Sequence, residues 1–116
     1  MGDKILAQIA QVAAAQVRDV DILARYGGDE FIILLPQTDA RQAFVVAERI
    51  RTGVEDLPRE EGAEALEITL SLGVAEMSTS PQDISVEDVI RRADRALYCA
   101  KKIGRNHAVI FSEDCV

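Results

Sequence analysis

The sequence predicts an α+β domain in which helices flank a mostly antiparallel sheet, in the order α-β-β-α-β-α-β. Three features predict it. Apolar residues recur at spacings of three and four near the start, the middle and the end of the chain. Two β-type apolar runs are separated by four residues that begin with a glycine pair, and one later stretch alternates strictly between bulky and small residues.

From Asp3 to Arg18, the residues Ile5, Leu6, Ile9, Val12, Ala13 and Val17 keep the period of an amphipathic helix, and the alanines between them favour one. Ile22 to Tyr26 and Phe31 to Leu35 then read as two strands joined by Gly27-Gly28-Asp29-Glu30, a tight hairpin turn. Pro36 ends the second strand. Asp39 can cap a helix from Ala40 to about Glu55, with Ala43, Phe44, Val46, Ala47, Ile50 and Val54 on one face. A polar loop containing Pro58 and Gly62 follows. Glu67 to Met77 alternates, with Ile68, Leu70, Leu72 and Val74 on one face and Thr69, Ser71, Gly73 and Ala75 on the other. The small face is read as close helix packing. Ser78-Thr79-Ser80-Pro81 breaks that strand. Ser85 and Asp88 have the spacing of a capping box that opens a helix through Val86, Val89, Ile90, Ala93 and Leu97. Gly104 closes it, and a short strand from Ala108 to Phe111 ends the order. There is no internal repeat or low-complexity tract.

A chain of 116 residues with 48% apolar content can build a single core, and one compact domain is expected. Thirteen basic residues against twenty acidic ones give a net charge of −7, which argues against a sequence-independent grip on nucleic acid or an anionic membrane. Any phosphate ligand must then be met by a local cluster of cations. Cys99 and Cys115 have no metal-type or CxxC spacing and read as ordinary thiols. No signal-peptide pattern opens the sequence, and no apolar run approaches the ~18 residues of a membrane span. The expected setting is soluble, reducing and cytoplasmic.

Three clusters are candidates for chemistry. Asp29 and Glu30 form an adjacent carboxylate pair directly after Gly27 and Gly28; the glycines let a bulky anion come close, and carboxylates are the hard oxygen ligands of Mg²⁺ holding phosphates. A solvated turn would use the same residue types. Lys101 and Arg105, with Lys102 beside them, stand at the end of the last helix. There they can complement the helix dipole or clamp a nucleotide's phosphates. Arg18 and Asp21 could be a simple surface ion pair. His107, the one histidine, has no triad-like companions and reads as a surface or strand-end residue.

Taken together these segments resemble the GGDEF family. Arg25-Tyr26-Gly27-Gly28-Asp29-Glu30-Phe31 carries that signature, and Ile68 to Ala75 is similar to the strand that follows it. Asp94, Ala96-Leu97-Tyr98, Ala100-Lys101 and Gly104-Arg105-Asn106 resemble the family's closing helix. The resemblance implies a nucleotidyl-cyclase-like, ferredoxin-like sheet and a diguanylate cyclase, which condenses two GTP into cyclic di-GMP as a homodimer with Mg²⁺ or Mn²⁺. It implies that Asp29 and Glu30 are the catalytic and metal-binding carboxylates, and that Gly27, Gly28, Lys101 and Arg105 bind the substrate. Asp3 matches the carboxylate that recognises guanine. Arg18 and Asp21 match the family's inhibitory RxxD product site, with Asp21 six residues before Gly27, and Arg49 matches its second arginine. A sensory domain elsewhere in the parent protein is a further expectation, and the parent could be membrane-attached through it.

The departure from the family is at the beginning. A first strand bearing another metal-binding aspartate, a phosphate-binding turn and a guanine-reading asparagine is expected there, and Met1 stands just before Gly2-Asp3. Without that strand the fragment is expected to be inactive. It is also expected to close its sheet by re-pairing the hairpin with the Glu67–Met77 strand, or to associate through open edges. Two other functions fit parts of the pattern: a non-catalytic cyclic di-GMP sensor using Arg18 and Asp21, and a structural regulatory domain.

Overall fold

The computed structural model describes residues 3–25, 31–57, 69–77 and 85–112, without the side chains of residues 3–5, 24 and 25. The chain divides into two compact units, Met1–Thr38 and Asp39–Val116.

In the first unit, α1 runs from Asp3 to Gln16 and buries Leu6, Ile9 and Ala13, a stripe at helical spacing. It stops short of the predicted Arg18 because the local hydrogen bonding changes. The Arg18 amide donates to the Asp21 carboxylate at 2.6 Å, and the Arg18 carbonyl accepts from the Asp21 amide at 3.0 Å. Both bonds close a turn. Strand β1 (Ile22–Arg25) pairs antiparallel with β2 (Phe31–Leu34), from Ile22 opposite Leu34 to Arg25 opposite Phe31. This is the expected hairpin register; its tip, residues 26–30, lies outside the described residues.

In the second unit, α2 spans Ala40–Glu55 and buries Ala47, Ile50 and Val54. Its predicted cap is present: Asp39 accepts from the Gln42 amide at 2.8 Å and the Gln42 side chain returns the bond at 3.2 Å. Helix α3, Val86–Lys102, opens with the predicted capping box of Ser85 and Asp88. It buries Ala96 and Ala100 completely.

Between and after these helices lie β3 (Leu72–Val74) and β4 (Ala108–Ile110), which are parallel, with Leu72 opposite Ala108 and Val74 opposite Ile110. Of the two described pairs, β1–β2 is thus antiparallel and β3–β4 parallel. Among the described residues α3 lies between β3 and β4 along the chain, and a helical crossover is the usual connection between parallel neighbours. Among the described residues β1–β2 and β3–β4 each form a two-stranded sheet. At Gly73 the small face of β3 packs closely against a helix, as expected. A methyl group on Gly73 would collide with the α3 backbone at Ala93 and Leu97. Cys99 is disulfide-bonded, contrary to its reading as an ordinary thiol; spacing along the chain does not report which sulfurs meet in space. Cys115 lies outside the described residues.

Candidate functional site

In the first unit, Arg18 sits just beyond α1, with Asp21 immediately before β1. The Arg18 guanidinium donates to the Asp21 carboxylate from Nη2 at 2.8 Å and from Nε at 3.2 Å, the forked geometry that suits this pair. The same Nη2 reaches the Pro36 carbonyl at 2.8 Å and the Thr38 hydroxyl at 3.1 Å. Arg18 thus ties the turn before β1 to the turn after β2. The Asp21 side chain is only 2% exposed, whereas that of Arg18 is 55% exposed, so the carboxylate is covered and the guanidinium still faces outward. Hydrogen bonding from the Arg18 side chain, with a smaller part from its backbone N–H, holds the Asp21 carboxyl below its ordinary value against the opposing effect of burial. The same hydrogen bond raises Arg18. Pro36 and Thr38 were not legible as partners: 18 and 20 residues separate them from Arg18, and no periodicity links the segments.

In the second unit, the C-terminus of α3 is closed by two interlocking backbone bonds. Arg105 N–H donates to the Ala100 carbonyl at 3.0 Å and Gly104 N–H to the Lys101 carbonyl at 3.4 Å, the Schellman pattern with glycine at its usual place. Gly104 has φ +130°, and Arg105 and Asn106 continue at +59° and +51°. The chain thereby leaves the helix in a left-handed turn and enters β4. Lys101, in the last turn of α3, and Arg105, four residues on, are brought to the same helix end. Both are exposed, and neither pairs with a carboxylate among the described residues.

A polar cluster that the sequence did not single out holds this turn to α2. Arg51 Nε donates to Glu48 at 2.6 Å, and its Nη1 donates to the Asn106 side-chain carbonyl at 3.1 Å. The Asn106 amide donates to Glu55 at 2.6 Å. The spacing of Glu48, Arg51 and Glu55 along one helix face was the signal available for it, without the partner in the turn.

Of the other predicted residues, Arg49 is exposed on α2, and Asp3 is the first residue of α1, with its side chain outside the described residues. Gly27, Gly28, Asp29 and Glu30 also lie outside them. His107 is exposed at the entrance to β4, and its carbonyl accepts from Leu72 N–H. Among the described residues no group of three or more His, Cys, Asp or Glu is placed to hold a metal ion, and no helix is long and apolar enough to cross a membrane.

The family profile described as diguanylate cyclase, GGDEF domain, matches residues 1–107. The chain belongs to the GGDEF family. Diguanylate cyclase A of Treponema denticola is 38% identical over 109 residues, a match that takes in 94% of this chain and 29% of that protein. The active GGEEF domain of a diguanylate cyclase from Vibrio cholerae superposes with a TM-score of 0.86 at 36% identity, covering 96% of this chain and 69% of that one. The GGDEF domain of DgcB from Caulobacter crescentus, solved in complex with c-di-GMP, gives 0.82 at 33% identity, covering 93% of this chain and 63% of that one. This GGDEF chain spans about a quarter of the length of the curated relatives it matches. The matched residues take in both the Arg18–Asp21 pair and the Lys101–Arg105 end of α3.

Proposed function

We propose that the intact protein carrying this GGDEF domain condenses two GTP into cyclic di-GMP, and that Arg18 and Asp21 form a site at which the product restrains the reaction. The observation that carries the reading is the end of α3. On a chain of net charge −7, a Schellman turn presents Lys101 and Arg105 outward with no carboxylate partner among the described residues. Such cations are suited to a polyphosphate. The compact ammonium of Lys101 and the planar fork of Arg105 neutralise and orient its oxygens, and they act on charge that grows as phosphoryl transfer proceeds.

Asp29 and Glu30 are adjacent hard oxygen donors after two glycines, a donor set that fits Mg²⁺ or Mn²⁺ in company with phosphates. A bound metal would offset charge on the attacking and leaving oxygens. Asp29 is the candidate acceptor of the 3′-hydroxyl proton. Asp3 can accept from the N1–H and N2–H₂ edge that guanine offers and adenine lacks. Each domain holds one GTP, so two copies must face each other, and the working unit is a homodimer. GTP places the reaction in the cytoplasm, with a sensory domain elsewhere in the protein as its input.

The exposed face of Arg18 suits the product. Asp21 holds the guanidinium by its edge, leaving the plane to stack on guanine and Nη1 to meet phosphate. Arg49 supplies a second cation. That preformed pair equally supports a second reading, a non-catalytic cyclic di-GMP sensor. Titration of the intact protein with GTP and with cyclic di-GMP, together with a turnover assay in Mg²⁺, separates the two. A cyclase binds both and converts GTP, a sensor binds the dinucleotide alone, and binding of neither refutes both readings.

A further inference from the structure

We infer that Arg51 is a positioning residue for the nucleotide's phosphates, acting through Asn106 on the turn that carries Arg105. The inference rests on the reading of Arg105 as a phosphate ligand. Arg105 and Asn106 are both held in the left-handed region, at φ +59° and +51°, where residues with a Cβ are disfavoured. Something outside the turn must hold it there, and the Asn106 side chain does so at both ends. Its amide N–H₂ donates to Glu55 at 2.6 Å, and its carbonyl accepts from Arg51 at 3.1 Å. Only one orientation of the amide satisfies both partners, because the carboxylate cannot donate and the guanidinium cannot accept.

Arg51 is itself fixed. Its Nε donates to Glu48 at 2.6 Å, its Nη1 lies 3.9 Å from Glu55, and its side chain is only 19% exposed. The guanidinium spans from a helical carboxylate to the turn in a single planar fork, which a lysine ammonium cannot reproduce at both ends. The Arg105 side chain, by contrast, has no ion-pair partner among the described residues. Its direction is therefore set by the backbone beneath it, and that backbone is set by the Arg51–Asn106–Glu55 latch. The latch residues touch the turn and α2, so the effect inferred for them on binding passes through Arg105.

The test is the dissociation constant of GTP, with guanosine as the phosphate-free comparison, for the intact Mg²⁺-supplemented protein and for Arg51→Ala, Arg51→Lys, Arg105→Ala and the double variant. Arg51→Ala is expected to weaken GTP about tenfold, the value of a lost charge-assisted hydrogen bond, and to leave guanosine unchanged. Arg51→Lys should fall between Arg51→Ala and the parent. In the Arg105→Ala background, Arg51→Ala should produce no further loss, since the group it positions is gone. Should Arg51→Ala fail to fold, Asn106→Gly removes the latch while tolerating positive φ, and it should give the same selective loss of GTP. Equal weakening of GTP and guanosine, additive losses in the double variant, or GTP binding unchanged in Arg51→Ala or Asn106→Gly while Arg105→Ala weakens it would overturn the positioning role. A different result, GTP binding unchanged in Arg105→Ala itself, would remove the phosphate reading on which the inference stands, and the inference with it.

Discussion

Replacing Gly73 by alanine adds one methyl group at the closest approach of β3 to α3, and the structure states what that group meets. It would fall inside contact distance of the Ala93 carbonyl oxygen and the Leu97 amide nitrogen, and 3.0 Å from the Leu97 Cα. All three are backbone atoms of a helix, so no side-chain rotation can make room. Either β3 or α3 must move as a body, and both belong to the core formed around the wholly buried Ala96 and Ala100. Overpacking a well-packed core costs about 1–3 kcal/mol when side chains absorb it; displacement of backbone places this variant at or above the upper end, about 3 kcal/mol. Domains of this size are stable by only about 5–15 kcal/mol, and each kcal/mol moves the midpoint by roughly 4 °C. Gly73→Ala should therefore melt about 12 °C or more below the parent. Urea unfolding followed by circular dichroism measures the loss, and an unchanged denaturant slope assigns it to the native state. Because α3 also carries Lys101, nucleotide binding should weaken in the same variant. A melting temperature within about 2 °C of the parent would show that strand and helix are not in the contact on which the second unit is built.

Ser85→Ala removes the N-cap of α3, whose hydroxyl accepts from Asp88 N–H at 3.1 Å; a loss of about 1 kcal/mol is expected, restored in Ser85→Asn, which can still cap, and measured by thermal melting. Asp21→Asn tests the ion pair through pH. The folded carboxyl lies below its ordinary 3.8, so its contribution is fully present above that value and is lost as pH falls through the folded one. The stability gap between parent and variant should therefore be constant at neutral pH and close in acid below 3.8, and a gap unchanged down to pH ~2 would reject it. Asp29→Ala in the intact protein should abolish cyclic di-GMP synthesis while changing stability by no more than about 0.5 kcal/mol; turnover equal to the parent at saturating Mg²⁺ would remove Asp29 from the mechanism.

Local information was enough for the elements. The three- and four-residue spacing of Leu6, Ile9 and Ala13, and of Ala47, Ile50 and Val54, marked the buried stripes of α1 and α2, because a helix turns at a fixed rate whatever it packs against. Asp39 and Ser85 were legible as caps, since a cap and its partner lie three residues apart. Gly104 was legible as a stop. The small residue at Gly73 pointed to a close helix, and the family was written in three motifs, which the match over residues 1–107 bears out. Tertiary structure decided what depends on segments distant in sequence. The parallel pairing of β3 with β4 is set by a crossover that no strand pattern contains. Arg18 meets Pro36 and Thr38 only because the hairpin returns the chain to the end of α1. Arg51, an unremarkable helix cation in the sequence, becomes the anchor of the Arg105 turn only when β4 brings Asn106 to it across 55 residues. Periodicity and capping are properties of neighbours along the chain and can be read there, whereas a hydrogen bond between distant segments exists only after the core has chosen which faces meet.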